Sequence, residues 1–240
     1  MLQTDLRRHR ARNISIKLQT VYNMPRLIVV LGDQLSPALA SLQQLQQDDV
    51  ILLAEVGREA SYVKHHKHKI ILLFSAMRHF AQGVQARGWP MRYRPLDDPD
   101  NRGSLATELT LAINELRPQA LVLTAPGDWR VLQALRAVAR ASSVTLDLRD
   151  DRHFFSTVRD FTAHAQGRKQ LRMEFWYREM RRRHGVLMDD DQPEGGQWNF
   201  DADNREAFGA AGPGDMPPRA TFAPDAVTRE VIALVNTRFA

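Results

Sequence analysis

The chain has 240 residues, of which 43% are hydrophobic and 25% charged, with a formal net charge of +5 and no cysteine. This length allows one or two domains with a sizeable core, and the lack of any apolar run of membrane-spanning length excludes a helical span. Without cysteine the chain forms neither disulfides nor a thiolate-held cluster, which fits a cytoplasmic protein.

The positive charge is unevenly placed. Residues 1–24 carry five basic residues against one acid, Asp5, and the remainder carries 28 basic against 27 acidic residues. The body is therefore nearly neutral and lacks a global electrostatic footprint for DNA. Residues 1–24 have no apolar periodicity and end at a second methionine, Met24. They read as a disordered or spurious extension, with an organelle targeting segment as the alternative.

From residue 25 to 150, apolar runs of strand length alternate with helical patterns. Arg26 to Leu31 (RLIVVL) reads as a short buried parallel strand. Ser36 and Pro37 then supply an N-cap and a proline at the first helical position. Val50 to Glu55 is a second strand. One long helix from about Ser61 to Arg87 follows, with Val63, Ile70, Phe74, Met77, Phe80, Ala81 and Val84 on one stripe, ended by Gly88. Met91 to Leu96 is a third strand, and Ser104 caps a helix running to Leu116. Ala120 to Thr124, a helix from Val131 to Ala141, and Val144 to Leu148 complete the pattern. The alternation predicts a doubly wound parallel five-stranded sheet, Rossmann-like or flavodoxin-like, with the strand at Arg26 central and those at Val50 and Ala120 on either side.

Such sheets bind ligands beyond the carboxyl ends of their strands, at the topological switch point. The loops expected there carry Gly32, Asp33 and Gln34, then Glu59 and Tyr62, then Gly127 and Trp129. No G-x-G-x-x-G or P-loop is present, so the usual phosphate cradle is missing. Carboxylates, a glycine turn and an aromatic plate suit a flat heterocycle bearing hydroxyls. The blander reading is that Asp33 and Glu59 merely complement helix starts.

The histidines of His65-His66-Lys67-His68 tempt a metal reading, but no third ligand is placed, and His66 falls on the apolar stripe as a buried histidine. No metal site is predicted. Residues 151–240 read as a basic helix and an interdomain linker. Met173, Trp176, Tyr177 and Met180 form one apolar stripe, with Glu174–Arg178 and Glu179–Arg183 as i, i+4 pairs and Gly185 as the stop. The acids at Asp189 to Asp191 read as a solvated turn. Residues 207–224 are rich in proline and glycine and read as a linker, before an amphipathic helix from Thr228 to Phe239.

Four separated segments resemble one family in the right order: GDQLSP (Gly32 to Pro37), EVGREASYVKHHKHKI (Glu55 to Ile70), PGDWR (Pro126 to Arg130) and the stretch from Arg172 to Arg205. They resemble the deoxyribodipyrimidine photolyase-related proteins, the iron–sulfur branch of bacterial cryptochromes and photolyases of the (6-4) type. The resemblance implies an amino-terminal antenna domain holding 6,7-dimethyl-8-ribityllumazine or a similar chromophore at Asp33 and Glu59, near Tyr62 and Gly127. It implies that FAD and the iron–sulfur cluster belong to a later helical domain, that damaged DNA is the partner of the full-length protein, and that no catalytic residue lies in this chain. It places Asn204 and Arg205 in a loop against DNA, with Arg181, Arg182 and Arg183 as further DNA-facing candidates. The chain stops at Ala240, short of the flavin domain, so residues 186–240 are expected to pack poorly. The alternative is a photosensory or small-molecule-binding α/β module without enzymatic activity.

Overall fold

The computed structural model describes residues 24–202, 205 and 207–239, so the readings for residues 1–23 and for Asn204 lie outside the described residues. Five strands form one sheet: β1 (Arg26–Val29), β2 (Val50–Ala54), β3 (Met91–Arg94), β4 (Ala120–Thr124) and β5 (Thr145–Arg149). All neighbours pair in parallel, in the order β3-β2-β1-β4-β5. The expected switch point is therefore present, with β1 between β2 and β4.

The side-chain alternation of the strands divides the interior into two cores. Ile28 and Val30 join Ile51, Leu53 and Val122 on one face, against Leu39, Leu42 and helix α2 (Lys67–Ala86). Leu27, Val29 and Leu31 join Leu52, Leu121 and Leu123 on the other, against α3 (Leu105–Leu116) and α4 (Trp129–Ala141). A central strand buried on both faces has no polar side to show, which is why RLIVVL lacks alternation. Each fully buried aliphatic side chain contributes about 1.5–3 kcal/mol relative to exposure.

Two helix readings are corrected. Ser36 and Pro37 start no α-helix; the Ser36 hydroxyl accepts from Ala38 N at 3.2 Å, and a 3-10 turn at Ala40–Leu42 is the helical element between β1 and β2. The long helix divides into α1 (Gly57–Ser61) and α2. The break falls at His66, whose backbone is extended and whose Nδ1 accepts from His68 N at 3.1 Å as the N-cap of α2. His66 is exposed rather than buried, and Val63 lies outside both helices and is 48% exposed. Gly88, at φ +70°, follows the end of α2 as expected.

Beyond the sheet lie α5 (Val158–Ala165), α6 (Met173–His184), a small hairpin of β6 (Met188–Asp189) and β7 (Gln192–Pro193), and α7 (Ala226–Arg238). The α5 N-terminus has a full capping box between Thr157 and Asp160. On α6 the predicted stripe is half right, since Trp176 and Met180 are buried while Met173 and Tyr177 face outward. The Glu174–Arg178 pair forms, but Glu179 instead meets His164 Nδ1 at 2.7 Å, and Arg183 meets Asp160 at 3.0 Å. Residues 207–225 are exposed and irregular, in keeping with a linker.

Poor packing does not extend to α7. This helix lies along α2, with Val231 and Val235 fully buried in the first core and Phe239 tilted against Phe74 at 6.4 Å. Asp225 caps it and also meets His79 at 2.9 Å. Val231 and Val235 lie one turn apart, so they form the narrow apolar face that the α2 flank needs. No helix among the described residues is long and apolar enough to cross a membrane.

Candidate functional site

A cavity of about 290 Å³ opens at the carboxyl end of the central strands. Its walls are apolar, with Val30 from β1, Ala54 from β2, Ile70, Phe74 and Met77 from α2, and Leu105 from α3. Gly32 lines it where the chain turns out of β1. A Cβ there would lie 2.9 Å from the Met77 sulfur, so the glycine permits a close approach of the loop to α2.

The rim is polar and comes from three elements. Asp33 follows β1, Glu59 and Tyr62 come with α1, and Asp128 caps α4, accepting from Arg130 N at 2.7 Å and Val131 N at 3.3 Å. Partial burial opposes ionisation of Asp128, but the backbone N–H groups of Val131 and Arg130 and the Arg130 guanidinium outweigh it, holding the carboxyl below its usual range. Arg130 grips Glu59 with both arms, at 3.0 and 2.6 Å, reaches Asp128 at 3.1 Å, and stacks 4.3 Å above the Tyr62 ring. The bond to Glu59 is the main reason its guanidinium pKa is raised. The clamp joins α1 to α4 across the mouth of the switch point.

Gly32, Asp33, Glu59 and Tyr62 thus meet at one cavity. The other three candidates stand apart from its lining. Gln34 is buried and turned toward β4, where its Nε2 donates to Thr124 O at 3.3 Å and Ala125 O at 3.0 Å, pinning the β1 loop to the neighbouring strand. Gly127 sits between two lining residues, Pro126 and Asp128, with open space around it. Trp129 is the first residue of α4 and is 70% exposed. Sequence reasoning missed Arg130 as a site residue. Its signal was available in PGDWR, but its partner lies 71 positions away.

Behind the cavity sits a buried polar cluster. Glu55, the first residue after β2, is fully buried and accepts from Arg78 at 2.9 and 3.1 Å, from Leu96 N at 2.8 Å and from the Tyr93 hydroxyl. Burial, reinforced by the Glu55 charge, raises the Tyr93 pKa, so the phenol stays protonated and donates. Every lone-pair direction of Glu55 thus has a donor, the condition under which a buried carboxylate is tolerated. It fixes the β2 end beside Ala54 and Val56, which line the cavity.

The arginines of α6 surround Trp198. Arg182, Arg181 and Arg178 lie 4.4, 5.3 and 5.4 Å from its ring. Arg181 is buried and turned back on the chain, donating to Val186 O at 3.1 Å and to Leu187 O. Arg182, Arg183 and Arg205 are exposed.

Comparison with known proteins decides the kinship. Residues 28–240 match the family model described as deoxyribodipyrimidine photo-lyase-related protein. The chain belongs to this family. It is 47% identical over 218 residues to the (6-4) photolyase of Agrobacterium fabrum, an alignment covering 90% of this chain and 42% of that protein. The chain therefore spans less than half the length of this curated relative.

Proposed function

We propose that this chain is the light-harvesting part of a photolyase- or cryptochrome-like protein acting on ultraviolet pyrimidine photoproducts in cytoplasmic DNA, and that it is not itself catalytic. The observation that carries this reading is an apolar cavity with a carboxylate rim at the switch point of a family member's α/β domain. Its volume lies at the small end for ligand sites, which suits a compact bicyclic chromophore better than a dinucleotide. The donor and acceptor set fits 6,7-dimethyl-8-ribityllumazine: Val30, Ile70 and Phe74 would cover the ring faces, while Asp33 and the Glu59 edge would accept from ring N–H or ribityl hydroxyls. When bound, such a chromophore would absorb light and pass the excitation on. This chain's own residues hold, orient and desolvate it.

FAD and an iron–sulfur cluster do not fit here. The chain has no cysteine to ligate a cluster, and the cavity is small for a flavin dinucleotide. Both belong, on this reading, to a flavin domain that partners this one in longer family members. Arg182, Arg183 and Arg205 are the arginines free to face damaged DNA, with Asn204 beside them, whereas Arg181 serves the chain's own carbonyls. Titration with the lumazine tests the central point. Binding should shift its visible absorbance and quench its fluorescence, and Glu59→Ala should weaken it by about 1–3 kcal/mol through loss of a polar edge and of the Arg130 anchor. A folded sample that leaves the absorbance and fluorescence unchanged at millimolar ligand would refute the reading.

A further inference from the structure

Helix α2 breaks a rule that every other α-helix among the described residues keeps. Helix N-termini carry partial positive charge and favour acids. The first turns of α1, α3, α5 and α6 hold Glu59, Glu108, Asp160 and Glu174, and α4 and α7 are capped by Asp128 and Asp225. The first turn of α2 has no acid. It holds Lys67 and Lys69, is preceded by Lys64, and no acidic residue occurs between Glu59 and Asp97. Cations placed where the helix dipole disfavours them mark a local cost, and such costs concentrate at functional sites.

The same turn faces the cavity. Lys69 and His65 both line it, and the Lys69 ammonium lies 3.2 Å from His65 Nδ1. An ammonium can only donate, so His65 is the neutral ring with its proton on Nε2. This edge therefore presents donors alone: the remaining ammonium hydrogens and the imidazole N–H. Lys69 has no ion-pair partner among the described residues. The rest of the rim is acidic, but Arg130 already occupies Glu59 and Asp128, leaving Asp33 as the open acceptor.

We propose that the cavity takes a heterocycle with an anionic tail, a phosphate monoester on its ribityl chain, seated at Lys69, His65 and the first turn of α2. The inference rests on the reading of the cavity as a chromophore site and specifies which form of the chromophore it selects. Asp33 accepts from the ring end, the Lys69 ammonium and the helix dipole hold the phosphate, and the ligand's charge removes the conflict at the α2 N-terminus.

The test is a fluorescence titration of 6,7-dimethyl-8-ribityllumazine and its 5′-phosphate against the intact chain and Lys69→Met, which keeps the apolar stem and removes the charge. The phosphate should bind roughly tenfold tighter than the neutral lumazine at low salt, a charge-assisted contact's share, and lose part of that advantage as salt is raised. Lys69→Met should equalise the two ligands, leave the neutral one within about twofold, and raise the melting temperature slightly by relieving the dipole conflict. Equal binding of both forms by the intact chain overturns the inference while leaving the chromophore site standing. A phosphate preference that survives Lys69→Met places the anion elsewhere and also overturns it. If neither form binds, the site and the inference fall together.

Discussion

Between Arg26 and Arg149 the largest fully buried side chains are aliphatic, among them Leu27, Ile28, Ile51, Leu52 and Leu53, with Glu55 and Glu108 as the charged members. Between Asp150 and Arg205 the buried residues are His164, Trp176, Met180, Arg181 and Pro193. The sheet domain buries apolar area on two faces. The α5–α6 region instead assembles caps, ion pairs and guanidinium–ring contacts, many of them half-exposed. Area burial is insensitive to salt and pH, while partly exposed charge contacts are worth little singly and weaken with both. One molecule thus carries two kinds of stability, and α7 belongs with the first kind although it lies beyond the second in the chain.

Core truncation should show the largest effect. Leu53→Ala is expected to cost about 2–5 kcal/mol, read as a lowered denaturant midpoint with cavity binding lost in parallel. A cost under 1 kcal/mol would mean the sheet is less tightly packed than its burial states. Val235→Ala on α7 should come next, at roughly 2 kcal/mol, from about 0.8 kcal/mol per buried carbon plus a cavity contribution. It should speed hydrogen exchange in α2 as well as α7, and exchange confined to α7 would separate that helix from the domain. Trp198→Ala removes the ring shared by Arg178, Arg181 and Arg182, each contact being worth about 0.5–1 kcal/mol at an exposed site. The loss should appear as faster exchange in α6 and the hairpin, with the sheet unchanged.

Acid should separate the regions most gently. The backbone N–H and hydroxyl of Thr157, then Arg183, hold the Asp160 carboxyl at about 2, against an ordinary 3.8. A depressed pKa stabilises the fold above the unfolded value and loses that contribution as pH falls from about 4 to about 2. Loosening of α5 and α6, followed by Trp176 fluorescence, should therefore begin below pH 4, and Asp160→Asn should flatten the profile in that window. An unchanged profile would show that Asp160 does not hold α5 to α6.

The strands, their order and the switch point were legible because a doubly buried strand needs an apolar run and parallel pairing needs a crossover. The cavity's Gly32, Asp33, Glu59 and Tyr62 followed from that topology. Other parts were hidden for identifiable reasons. Ser36 and Pro37 carry the chemistry of a helix start, but the Ser36 hydroxyl serves a local turn. Val63 continues the helical stripe across a break made by the His66 side chain. The Arg130 clamp is a contact between distant segments, and nothing in RMEFWYREMRRRHG distinguishes Arg181, folded back on carbonyls, from its exposed neighbours. The burial of α7 was missed because a weakly amphipathic helix after a glycine- and proline-rich stretch reads as detached.

The position of α7 also sets an order of events during synthesis. The core built on Ile28, Val30 and Ile51 is begun by the first strands made, yet it includes Val231 and Val235. Until α7 emerges, the α2 flank that it covers stays exposed on a nascent chain whose sheet can already form. Closing that gap requires a contact of very long sequence separation, which is slow to form and leaves an aggregation-prone surface open meanwhile. The polar α5–α6 region, made in between, presents few apolar side chains that could wrongly occupy the groove before α7 arrives.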